Sequence, residues 1–97
     1  MRVWLDDLRE APDGWLWLTS SSTAINWLEW ARMMNVRPEA WSFDHDLGGD
    51  DTSRAVVLWM CENEFWPDVC YVHSANPVGI EWIRGMIQRY APEGTLK

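Results

Sequence analysis

Basic residues are scarce in this chain: eight Lys and Arg stand against 15 Asp and Glu, for a net charge of −7 over 97 residues. Neutralising a duplex phosphate backbone requires a basic face, so bulk charge argues against duplex nucleic acid as a partner. A single nucleotide held through a metal is not excluded by that argument. Cysteine is equally sparse. Cys61 and Cys70 show no CxxC pair and no framework spacing, and fall one in an expected helix and one in an expected strand, so they read as reduced core residues. No apolar run is long enough for a signal peptide or a membrane span. The expectation is a cytoplasmic protein without a membrane partner. Repeats and low-complexity segments are also lacking, and the length suits one domain over residues 1–97.

Tryptophan, in contrast, is abundant, with nine residues, and almost half of the chain is hydrophobic. Trp27, Trp59 and Trp82 occur at helical spacing and read as core, whereas Trp15 and Trp66 flank loops and are less readily placed. Some rings are free to cover a surface groove.

Short apolar runs punctuated by turn residues define the elements. Residues 1–5 form a first strand, and Pro12 with Asp13-Gly14 marks a loop too short to hold a normal helix. Trp15 to Leu18 has no polar face and reads as a strand buried on both sides. Thr23 to Met34 carries Ala24, Ile25, Trp27, Leu28 and Ala31 at helical spacing. Trp41 to Asp44 is a central strand. A second helix, capped by Asp50, Asp51 or Thr52, runs to about Glu64. Val69 to His73 is a fourth strand, a third helix starts at Pro77, and Pro92 to Lys97 reads as a polar tail. From residue 15 onward these are βαβ units, which build a mostly parallel α/β sheet. The nine residues between the first two strands are few for a parallel crossover, which leaves strand two free to run antiparallel.

Three strands end in polar chemistry. Val3-Trp4-Leu5 runs into Asp6-Asp7, Trp41-Ser42-Phe43 into Asp44-His45-Asp46-Leu47-Gly48-Gly49, and Val69 to Val72 into His73-Ser74-Ala75-Asn76-Pro77. Open parallel sheets bind ligands outside the carboxyl ends of their strands, so parallel neighbours would bring these ends together at a site. Period two places Asp44 and Asp46 on one side of the chain and His45 on the other. Crowded carboxylates repel unless a hard cation joins them. Asp6, Asp7 and Asp44, with Asp46 beside them, form an oxygen set suited to Mg2+, or to Mn2+, which also accepts His45. His45 and His73 are candidate acids or bases. Ser74 and Asn76 are candidates to bind a phosphoryl group, and Arg9 to neutralise it. Simpler roles exist for several of these residues: Asp50 and Asp51 suit turns and caps, Asn76 suits a helix cap, and a lone surface Arg9 suits solvent.

These motifs resemble the receiver domains of bacterial two-component signalling, in which an acidic pair and a third aspartate hold magnesium. The closer resemblance is to a receiver-like family of cyclic-phosphate processing domains, through Leu5-Asp6-Asp7, Asp44-His45-Asp46-Leu47-Gly48 and His73-Ser74-Ala75-Asn76-Pro77. It implies a truncated receiver/flavodoxin-like fold, about four mostly parallel strands with three helices packed on the sheet. The fifth strand of receivers, with its lysine, finds no counterpart, because Lys97 is the sole lysine. Hydrolysis therefore fits these residues better than storage of a phosphoryl group.

The resulting expectation is a metal-dependent phosphoesterase-like protein acting on a cyclic phosphate or nucleotide. Asp44, His45 and His73 would perform the chemistry. The alternative is a non-catalytic binder, which either sequesters a nucleotide or acts as an acidic inhibitor on the basic site of a protein partner, as small phage-encoded inhibitors do. The oligomeric state is left open.

Overall fold

The computed structural model describes residues 1–97, in which four strands and three helices follow one another as β1 (Arg2–Leu5), β2 (Trp15–Leu18), α1 (Ser21–Met33), β3 (Ala40–Phe43), α2 (Arg54–Asn63), β4 (Val69–Val72) and α3 (Pro77–Tyr90). The strands form one sheet in the order β2-β1-β3-β4, and every pair is parallel. Strand two is thus parallel to strand one, and the antiparallel option is corrected. A return along a four-residue strand is only about 13 Å. Nine extended residues reach about 30 Å, so the link needs no helix.

The strand order places a switch point between β1 and β3, because the chain leaves β1 towards β2 on one side and returns to β3 on the other. The register pairs Leu5 with both Leu18 and Phe43, and Phe43 with Val72. All strands therefore end at one level, and the polar residues that follow them emerge together.

One face of the sheet carries the whole core. Val3, Leu5, Leu18, Trp41, Phe43 and Cys70 project from it and pack against Leu28 of α1, Val56, Val57 and Met60 of α2, and Ile83 and Ile87 of α3. The opposite face, which includes Trp4, Trp15, Trp17 and Tyr71, bears no helix. Trp17 is 39% exposed and Tyr71 43%. Strand β2 is therefore an edge strand with one buried face, which corrects the expectation of burial on both. Trp27, Trp59 and Trp82 pack against the core as their spacing indicates. Trp66 is buried and belongs to it.

Caps follow local chemistry with one exchange. Ser20 accepts from Thr23 N at the start of α1, and Asn76 accepts from Gly79 N at the start of α3, where Pro77 occupies the first turn. Asp51, expected at the second helix, instead accepts from Ser21 N and Ser21 Oγ of α1. The loop from Asp44 to Ser53 folds back through Gly48 and Gly49, both at positive φ, and so turns Asp51 towards α1. At α2 the N-cap position falls to Ser53, whose hydroxyl makes no capping bond, and not to Asp50, Asp51 or Thr52; the Thr52 hydroxyl, just before it, takes the N–H of Arg54 at 3.3 Å.

The segment read as a polar tail is ordered. Cys70 N donates to Thr95 O at 2.7 Å and Lys97 N to Cys70 O at 2.9 Å, forming a parallel bridge beyond β4 with Thr95 buried. This single bridge, Cys70 with Leu96, pins the tail to the outer edge of β4, and the sheet keeps four strands. No helix is long and apolar enough to cross a membrane.

Candidate functional site

The sheet ladder continues one residue past the strands and sets the site. Asp6 N donates to Leu18 O, Asp44 N to Leu5 O and His73 N to Phe43 O, so these three residues stand side by side at the switch point. Ligand oxygens of Asp6, Asp7 and Asp44 lie within 4.8 Å of one another. Beside them opens a cavity of about 600 Å³ lined by Asp7, Asp44, Asp46, Gly48, Ser74 and Asn76.

Each acid is held differently. Asp6 is 2% exposed. Its Oδ1 accepts from the backbone N–H groups of Leu8 and Arg9, and its Oδ2 faces His73 Nε2 at 3.0 Å. Burial alone would push this carboxyl up, but those two N–H groups and the imidazole together hold it below the usual range. Asp44 is the reverse case. Burial pushes it up and the nearby Asp6 charge adds to this, against the Ser74 hydroxyl and the His45 N–H. Asp46 stands at the cavity rim with its side chain 62% exposed. It is held low by Asn76 first, then by His45, with Arg54 adding to the effect against burial.

The two histidines hold acids and do not line the cavity. Asp6 is ionised and can only accept, so His73 Nε2 carries the proton, and Nδ1 accepts from Ser42 Oγ at 2.6 Å. Burial keeps the imidazole pKa below its ordinary value despite Asp6, and the Trp4 ring stacks on it at 3.8 Å and 8°. His45 is 5% exposed. Arg54 Nε is an obligate donor to His45 Nε2 at 2.9 Å, so Nδ1 carries the proton and donates to Asp46 Oδ1 at 3.0 Å. A methyl group on Gly79 would lie 2.4 Å from His45 Cγ, so α3 approaches this ring only because residue 79 lacks a side chain.

Of the remaining candidates, Ser74 and Asn76 line the cavity. The Ser74 hydroxyl accepts from Asn76 N, and Asn76 Nδ2 donates to Asp46 Oδ2 at 3.1 Å while its Oδ1 caps α3. Arg9 stands outside the cavity with Nη1 3.4 Å from His73 O. Sequence reasoning missed Ser42 and Arg54, the outer partners of the two histidines. Ser42 had a visible signal, as a hydroxyl between two aromatics in a buried strand. Arg54 had none, since it lies nine residues from His45 on the next helix.

A parallel sheet in the order 2-1-3-4, with an acidic triad at its switch point, defines a receiver-like α/β domain. The model of the cyclic-phosphate processing receiver domain family matches residues 1–89, and the chain belongs to this family. No curated protein and no solved structure matched the chain.

Proposed function

We propose that the chain is a metal-dependent phosphoesterase-like domain that processes a cyclic phosphate or nucleotide at the Asp6, Asp7 and Asp44 cluster. The observation that carries this reading is the meeting of those three carboxylates beside a polar cavity at the switch point. Their chemistry fits a hard divalent cation, Mg2+ or Mn2+, because Asp44 is pushed up by burial and by the Asp6 charge, and a cation offsets both. Such an ion, when bound, supplies Lewis-acid polarisation of phosphoryl oxygens.

The chain's own residues divide the remaining work. Asp46, exposed at the cavity rim with its carboxyl held below the usual range, is placed to hold and orient water in the cavity. His45 and Asn76 hold its two oxygens. His73 positions Asp6 from behind, and Ser74 offers a hydroxyl to the substrate phosphate. This moves both histidines from acid–base work to positioning. Arg9, outside the cavity, is placed to meet only a substrate group that projects past Leu8.

Binding without turnover is favoured by one observation: both histidines are fully engaged and no free imidazole faces the cavity. Titration with Mg2+ and Mn2+ followed by tryptophan fluorescence, then assay against cyclic and linear phosphate esters, separates the readings. Saturable metal binding with turnover, both lost in Asp44→Asn, supports the esterase. Phosphate-ester binding without turnover supports the binder, and absence of metal binding overturns the metal-dependent reading.

A further inference from the structure

A second cavity, of about 570 Å³, lies between the start of α2 and the outer face of α3, lined by Arg54, Val78, Trp82, Gly85, Met86 and Arg89, with Glu81 at its side. It is separate from the acidic cavity, although the two flank the same helix start: Pro77 lines one and Val78 the other.

Arg54 is the notable group. Its guanidinium lies 4.7 Å from the centroid of the Trp82 ring, and its Nε is tied to buried His45. These two contacts fix the plane of the fork. Neither Arg54 nor Arg89 has a carboxylate within 4.0 Å, in a chain with 15 acidic residues. The two amino groups of Arg54 have no protein acceptor, so the half-buried fork is pre-set with its donors unused. A planar fork of this kind matches the paired oxygens of a phosphate or carboxylate. Gly85 leaves open space along the helix, and Val78 and Met86 supply apolar wall.

We infer that this cleft is an organic-phosphate site, in which Arg54 receives the phosphate oxygens and the attached apolar group lies along Val78 and Met86. Arg89, at the far end, adds long-range attraction. Glu81 opposes a highly charged ligand and so selects a phosphate monoester over a polyphosphate. The site is linked to the acidic cavity by one hydrogen-bonded chain, Arg54 to His45 to Asp46, with Asn76 on the second oxygen of Asp46.

The test is a titration of the metal-free chain with phenyl phosphate and with inorganic phosphate, read from the indole N–H of Trp82 and the Nε–H of Arg54 in nitrogen-15 NMR spectra. It is made in the Asp44→Asn background, so failure of the metal reading leaves the result intact. Saturable shifts at both signals are expected, with affinity at least about tenfold weaker in Arg54→Gln, unchanged in Arg84→Gln and tighter in Glu81→Gln. Folding of Arg54→Gln is verified from its other indole signals, and Arg54→Lys, which keeps the charge but not the fork, is expected to bind weakly too. Absence of saturation, or equal affinity in Arg54→Gln and Arg84→Gln, overturns the site. Equal affinity for the two phosphates overturns the assignment of the apolar wall.

Discussion

His73 Nε2 lies 3.0 Å from Asp6 Oδ2, and this one contact ties the end of β4 to the end of β1 across the intervening strand β3. Because His73 is neutral in the fold and depressed by burial, the unfolded chain binds its proton more readily. Stability from this residue is therefore present above the ordinary imidazole pKa and is lost as pH falls below about 6.5. In a chelator, the wild type is expected to lose stability to urea between pH 7 and pH 5 more steeply than His73→Gln. Parallel slopes for the two proteins would refute the assignment.

Asp44 predicts an effect of opposite sign on the two states of the site. Its carboxyl is pushed up by burial and by Asp6, so Asp44→Asn is expected to leave the metal-free fold as stable as the wild type or more so. With Mg2+ at 100 times its dissociation constant, only the wild type should gain, by about 2.7 kcal/mol. Thermal unfolding with and without metal measures both halves. A metal-induced gain that survives in the variant would place the cation elsewhere.

Gly79 is constrained by contact, since its φ lies outside the left-handed range. The atoms that an added methyl would meet belong to a buried ring pinned by Asp46 and Arg54, and so have little freedom to move. Gly79→Ala is expected to destabilise by about 1–3 kcal/mol. It should also shift the ring signals of His45, whereas Gly85→Ala, with open space around it, should not. Denaturant midpoints and imidazole chemical shifts decide the point.

Cys70 is fully buried in β4, and burial pushes its thiol up to about 12. The folded state thus holds this proton more tightly than the unfolded chain, and stability is lost as pH rises from about 9 towards 12, at up to about 1.4 kcal/mol per pH unit. Cys70→Ala should flatten that alkaline slope, at a price in lost packing that is the same at every pH. Labelling with a thiol reagent at pH 8 should reach Cys61 and spare Cys70 until the chain unfolds.

The extent to which the sequence spoke for itself varies from residue to residue. Asp6, Asp44 and His73 were legible because each follows an apolar strand, and parallel strands in register must end together. The helices were legible from their spacing. Asp51 was not, because a cap read locally looks to the nearest helix start, and only the Gly48-Gly49 turn sends it to α1. The direction of β2 and its exposed face depend on which strand neighbours it, and that is a property of the sheet.

The roles of the histidines show the same division. Sequence alone determined that two imidazoles would stand among acids, since each falls within two residues of a strand end. Which atoms they face was decided by tertiary packing: Ser42 and Asp6 lie 31 and 67 residues from His73, Arg54 of α2 donates to His45, and α3 closes over the His45 ring only because residue 79 lacks a side chain. Hydrogen bonds over such separations follow from the register of the sheet and the seating of the helices, and no local pattern of residue types encodes them.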